Sequence, residues 1–503
     1  MLLETIRLYA LEKARGTDEL RHAHHHHAEY YCRLFAPAEA DSESQSQDDW
    51  LSRFGGHLDN VRAALDWAFS DNGNPQLGVT LTATVVPLWI VLSLLGECRT
   101  RVERALARLG GTPEASNRLR MQLSAALAWS LMHGIGCARE AGPAWATTLE
   151  LAERLDDGVY RLRALWGLCI DQFNVGELRT ALEFARRFAG LVENSSDAID
   201  LMMADRILAT ALHYYGDQKN ARHHIERMLA SHAALAQQPQ IVRFQFDQRV
   251  TAHYFQARIL WLRGFADQAM RVVESNIEEG RTIGNALSFC SVLGQGACPL
   301  AFLSGDLDAA GRYGAMLLDH ADRHGPRVWH LWARCFNGLV MARRGDIAGG
   351  LRALRLGLEQ AGDARLLPRF LLLLGELAVC LGEAGEVALG LATVEETLAR
   401  CEARDERWYV AELLRIKGEL AILEGAADAV AERYFLRALD CARPQGALSW
   451  ELRTATSLAR LWKDRDRVAE GLELLSSVYG RFTEGFETAD LRRANSLLEQ
   501  FGS

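Results

Sequence analysis

ACPLAFLSGDLDAAGRY (297–313) and RCFNGLVMARRGDIAGGL (334–351) decide how this chain folds. Each sets a glycine, Gly305 or Gly345, between two runs with helical spacing of apolar residues, and each follows it with an acid, Asp306 or Asp346. Working outward, the same glycine recurs at Gly96, Gly136, Gly176, Gly216, Gly264, Gly385 and Gly425. Successive gaps across all nine are 40, 40, 40, 48, 41, 40, 40 and 40 residues. Five residues after the glycine stands a small side chain: Ala141, Ala181, Ala221, Ala269, Ala310, Gly350 or Gly390. Seven residues before it stands another: Cys169, Ala209, Ala257, Cys298, Gly338, Ala378 or Gly418. Acids follow at Glu97, Glu177, Asp217 and Glu386 as well. Three registers in step describe a helical hairpin. Glycine ends the first helix in a left-handed conformation. The acid sits at the positive end of the second, and the small pair lets the backbones approach.

This pattern is similar to the tetratricopeptide repeat, with a longer unit than that family's usual one. The expected fold is therefore all-α, a right-handed superhelix of helical hairpins with a period near 40 residues. The register is cleanest from about 160 to 430. In the first two units Trp89 and Trp129 stand where the small residue belongs, so those helices should pack differently. In the last unit Arg465 takes the glycine's place, and the longest gap assigns its extra residues to SHAALAQQPQIVRF (231–244). The expected organisation is a helical linker region over 1–74, the repeat array over 75–480 and a capping helix over 481–503. FAPAEADSESQSQDDW (35–50) is polar and reads as a flexible connection.

Composition agrees with helix throughout. The 503 residues contain only 10 prolines, too few to break many helices. A net charge of −9 lacks the basic footprint of a nucleic-acid binder. Ten cysteines without a C-x-x-C pair suit small buried thiols in a reducing compartment. LTATVVPLWIVLSLLG (81–96) is short for a membrane span and contains Pro87, so a buried helix explains it better.

Chemical motifs are scarce. The chain has no G-x-x-x-x-G-K-[ST], no strand-following G-x-G-x-x-G and no H-E-x-x-H. No catalytic residue, metal or cofactor is assigned. In RHAHHHHAEYYCRLF (21–35), His22 and His26 are four apart with Glu29 nearby. They suit a metal pair, or a solvated face with Ala28, Tyr30 and Leu34 turned inward. The positions ten, six, three and two before each turn glycine should line the concave face. They give Trp166, Phe173, Arg206, Tyr214, Tyr254, Arg258 and Trp261 as a candidate groove, with Phe302, Trp332 and Arg343 further on. Inter-helix packing suits many of them too, and for Trp166 and Trp261 the spacing does not choose. Arg206 and Arg258, long and charged, are expected to face solvent.

The ends carry a more specific resemblance. LLETIRLYALEKA (2–14) and LDNVRAALDWA (58–68) resemble the segment after the ATPase module of STAND-type (NB-ARC-like) winged-helix transcriptional regulators. ILWLRGFADQAM (259–270) and ELLRIKGEL (412–420) are similar to that family's repeat sensor. RPQGALSWELRTATSLARLWKDRDR (443–467) and VYGRFTEGFETADLRRANSLLEQF (478–501) are similar to its closing segment. The resemblance implies a cytoplasmic sensor with a protein or small-molecule signal in its groove, normally joined to ATPase and DNA-binding domains, and with neither enzymatic activity, direct nucleic-acid contact nor membrane attachment of its own. It also implies that residue 1 marks a truncation, a split gene or a late start codon. In related modules a nucleotide-sensing histidine precedes the Leu-Leu-Arg-x-Tyr-Ala stretch; here its place falls on Leu3. A stand-alone scaffold and the sensor arm of a nucleotidyl cyclase are the alternatives.

Overall fold

The turn glycines do what their spacing demands. In the structure, a computed structural model, Gly176, Gly216, Gly264, Gly305, Gly345, Gly385 and Gly425 all have φ between 83° and 103°. The acid after the turn caps the second helix where it is an aspartate. Asp217, Asp306 and Asp346 accept the backbone N–H three residues on, at 3.1, 2.8 and 2.9 Å. The small pairs meet as well. Cys169 Sγ lies 3.3 Å from the Ala181 carbonyl. A Cβ added to Gly350 would stand 2.4 Å from the Gly338 carbonyl, and one added to Gly390 2.9 Å from that of Ala378.

Residues 18–502 are described, except 93, 111, 133–139, 236–247, 284–285, 325–326 and 363–366. The described residues are all-α, and helices pack in adjacent pairs as tetratricopeptide-like hairpins. The opening helix proposed for 2–14, Gly136, and most of 231–244 lie outside them. The described residues up to Leu168 form one compact unit, and those from Cys169 onward a second.

In the first unit Pro75–Val91 is buried along most of its length, Pro87 included, and Trp89 is fully buried. Helices Asp18–Phe35, Leu58–Ala68 and Leu95–Ala107 pack around it. Three expectations are corrected here. Gly96 lies inside Leu95–Ala107 and forms no turn. The polar stretch 35–50 is helical over Ala38–Ser44 and Gln47–Phe54, because it is docked at both ends. Trp50 is buried and donates its ring N–H to the Ala38 carbonyl at 2.9 Å, while Glu39 accepts from Arg163 and, at 3.1 Å, from Tyr160. On Asp18–Phe35 the inward residues are Ala28, Tyr31 and Phe35; Tyr30 is half exposed. His24 stacks on Trp67 at 5.9 Å. No group of three potential metal ligands occurs among the described residues.

The second unit holds the clean repeats. Its last hairpin turns at Asp466 (φ 58°), one residue after Arg465, because the small pair there is Ala459 and Gly471. Later repeats then close on earlier ones. In the last turns of the early first helices, carbonyls accept hydrogen bonds from far along the chain. Tyr214 accepts the N–H of Arg407 at 3.0 Å, Trp261 the Ser449 hydroxyl, and Leu303 the Arg453 guanidinium at 2.9 Å. Glu484 accepts from Gln268, and Arg179 pairs with Asp405 at 2.7 Å. The Tyr214 and Leu303 carbonyls are among those a helix end leaves without an internal partner, and the Trp261 carbonyl also accepts the Gly264 N–H at 3.0 Å. Among the described residues one segment, Ala286–Ser304, is long and apolar enough to cross a membrane by composition, and most of it is buried within the chain.

Candidate functional site

The second unit's first helices turn a continuous run of rings inward. Phe173 lies 5.9 Å from Tyr214, and Tyr214 5.8 Å from Phe255. Beyond them His213 faces Trp408 at 5.5 Å, and Trp261 meets Trp450 at 4.9 Å. Between these rings stand arginines. Arg258 lies over the Trp408 ring at 4.7 Å, with Nη1 3.5 Å from the Tyr214 hydroxyl, at the limit of a hydrogen bond. Arg369, on the short turn Pro368–Phe370, lies over Trp329 and Trp332 at 5.8 and 5.9 Å.

Six of the seven groove residues read from the sequence belong to this unit: Phe173, Arg206, Tyr214, Tyr254, Arg258 and Trp261. All six are buried. That corrects the expectation that Arg206 and Arg258 face solvent: they are 4% and 7% exposed. The positions were chosen for facing inward, and the closing of later repeats on earlier ones removes the water. Trp166 belongs to the first unit. There it sits edge-on to Trp145 at 6.4 Å and lines a separate cavity with Tyr160, Arg163 and Glu39.

The second unit's interior keeps a tight cavity, with room for little more than one water. It is lined by Arg258, Trp261, Gln295, Trp332, Arg369 and Trp408, with leucines and Pro299 between them. Gln295 is brought there by a π-helical turn, Val292–Ala297, inside the first helix of the Gly305 hairpin. The turn is held by the Trp332 ring N–H donating to the Gly294 carbonyl at 2.7 Å. Such turns interrupt an α-helix and re-aim its side chains.

The electrostatics divide. Towards the C-terminus, arginines are paired: Arg343 with Glu376 and Glu383, Arg415 with Glu412, and Arg453 with Glu412 and Asp490. Burial tends to raise the Glu412 carboxyl, but Arg415 and Arg453 outweigh it and hold the pKa at about 2. Arg206, Arg258 and Arg369 have no carboxylate within ion-pair distance among the described residues. Burial pushes the pKa of Arg206 and Arg369 down. His213, fully buried beside Arg258, is held well below its usual value, first by burial and then by that charge.

Sequence reasoning missed Arg369, Trp408 and Gln295. The signal was present: Trp332, Arg369 and Trp408 stand 13, 16 and 17 residues before Gly345, Gly385 and Gly425. Continuing the inward face back by one or two turns reaches them.

The chain matches no protein-family model. It is 34% identical over 88 residues to proteins of Mycobacterium bovis and of two Mycobacterium tuberculosis strains that carry the provisional name HTH-type transcriptional regulator. The match spans 18% of this chain and only 10% of each relative's length. Among solved structures, a Rap protein complexed with competence and sporulation factor superposes with a TM-score of 0.55 at 12% identity, covering 73% of this chain and 98% of that one. That likeness is one of fold: this chain is a tetratricopeptide-like helical-repeat protein.

Proposed function

We propose that this chain is the signal-sensing repeat region of a STAND-type transcriptional regulator, acting with ATPase and DNA-binding modules. The observation that carries the reading is the second unit's interior, where the first helices of successive hairpins bring arginines and aromatic rings together around a cavity. Stacked hairpins use that face for recognition. The Rap protein of similar fold was solved in complex with competence and sporulation factor, and the short match to HTH-type regulators supports a role in transcription. The chain's part is binding rather than catalysis, in the cytoplasm.

Removing the coding sequence from the source organism and profiling its transcripts tests this. A discrete set of transcripts is expected to change several-fold, and to stop responding to the condition that normally moves it. A transcript profile identical to the parent's across growth conditions overturns the reading.

A further inference from the structure

Four early turns of the second unit touch its far end. A Cβ added at Gly176, Gly216, Gly264 or Gly305 would stand no more than 3.0 Å from a side chain of Arg404, Gln445, Leu448 or Ala489 in turn. One added at Gly345, Gly385 or Gly425 would meet nothing within 4 Å. The four late residues stand at helix ends, so early turns meet late connections rung by rung along a seam. Hydrogen bonds follow the same order. Towards one end Arg179 pairs with Asp405 at 2.7 Å, and the Tyr214 carbonyl accepts the N–H groups of Arg407 and Trp408 at 3.0 and 3.3 Å. Towards the other, the Gln268 N–H donates to Glu484 at 2.9 Å and the Gly485 N–H to Asp267 at 3.0 Å. The seam shuts the inner face. Trp408 lies against His213 and Tyr214, and Trp450 against Trp261. Behind them there is room for little more than one water.

We propose that this seam is a clasp: the second unit opens along it in one movement, with its hairpins intact, and uncovers the inner face of Ala198–Tyr215 and Gln248–Leu262. This rests on the sensor reading above and adds its regulation, because a face so tightly shut admits no signal until the seam parts. Three features favour parting here. The end rungs are polar and reach the surface, with Arg179 and Asp267 exposed, and such contacts exchange readily for contacts with water. Parting strands no charge at Arg453, which gives up the Leu303 carbonyl but keeps Glu412 and Asp490 on its own side. Closure also has a cost. His213 Nε2, Trp408 Nε1 and Gln445 Oε1 are buried at the seam with no hydrogen-bond partner among the described residues, and each regains water on opening. The apolar area of Trp408 and Trp450 favours the closed form. These opposed terms make a two-state element, and a signal that binds only the open form holds it open.

Hydrogen exchange on the full chain tests this. The N–H groups of Trp408 and Gly485, towards the two ends of the seam, should exchange at least several-fold faster than those inside Ala198–Tyr215 and Val410–Leu423. Arg179→Glu sets like charges face to face with Asp405 without touching the interior. It should speed exchange at the far Gly485 several-fold, as well as at Trp408, and leave the helical amides unchanged. Glu484→Lys removes the acceptor for Gln268 and should speed Trp408 in the same way. Arg344→Glu reverses an exposed charge paired with Asp308, beside the uncontacted turn at Gly345, and should change neither end. The proposal is overturned if a reversal at one end leaves the other end's exchange unchanged, because the rungs then part independently. It is equally overturned if the seam amides exchange only together with the helical ones, or if Arg344→Glu speeds both ends as much as Arg179→Glu does. A transcript response that persists after such a failure leaves the sensor reading standing and removes only the clasp.

Discussion

Gly305 and Gly385 have the same backbone, φ 83°, at the same place in their hairpins, yet they do different work. A Cβ at Gly385 would meet nothing within 4 Å; one at Gly305 would lie 2.4 Å from the Ala489 Cβ. Alanine at 385 therefore pays only for the left-handed conformation, roughly 1–2 kcal/mol. Asparagine, which tolerates that conformation, should recover much of the loss. Alanine at 305 pays the same strain and must also push back the start of Ala489–Gly502. Urea unfolding should show Gly305→Ala clearly more destabilising than Gly385→Ala, with no rescue by Gly305→Asn. Equal losses at the two sites would mean that the contact with Ala489 contributes nothing. The turn was legible in the sequence because it is local: one glycine, one acid, two small residues at fixed offsets. The second duty was not, because Ala489 lies far along the chain and no periodicity links the two.

Among elements, one joint is made by Arg453 on Leu448–Lys463. It reaches Glu412 on Val410–Leu423 at 3.0 Å, Asp490 on Ala489–Gly502 at 2.6 Å, and the carbonyl of Leu303. Removing one partner of a buried pair strands the other, which typically costs roughly 3–5 kcal/mol. Arg453→Met should lose stability on that scale at pH 7 by chemical denaturation. The sign of its acid dependence follows from Glu412. That carboxyl titrates at about 2 in the folded chain and at an ordinary value when unfolded, so its contribution is full above about pH 4.5 and is lost as pH falls towards 2. Glu412→Gln should be less stable at neutral pH and show a flatter loss in that window. An unchanged acid slope would mean that other carboxylates set it. Elements were read well where their period repeated and poorly where docking decides. The stretch 35–50 looked like a linker because nothing in its composition shows that Trp50 and Glu39 have partners waiting. The interior arginines were misjudged for the same reason. Spacing placed them on the right face, but that face is dry only because residues 407–408 and 449–453 lie across from it, a fact of tertiary closure.

Across the whole second unit, an open repeat array would behave as a line of neighbours, with frayed ends and local damage. Here hydrogen bonds join residues 150 to 226 apart, so early repeats are tied directly to late ones. Hydrogen exchange on the full chain should find the helices Ala198–Tyr215 and Val410–Leu423 losing protection together, and Gly305→Ala should lower both. Independent fraying of the late helices would contradict this coupling. The same long ties set an order of events during synthesis. The carbonyl of Leu303 waits for Arg453, and Gly305 for Ala489, before its surroundings are complete. At about 5–20 residues per second a ribosome needs roughly 10–40 s to cover that distance. For that interval the early hairpins exist with their future contact edge bare, and the nascent chain is most in need of a chaperone while its most regular part is already made.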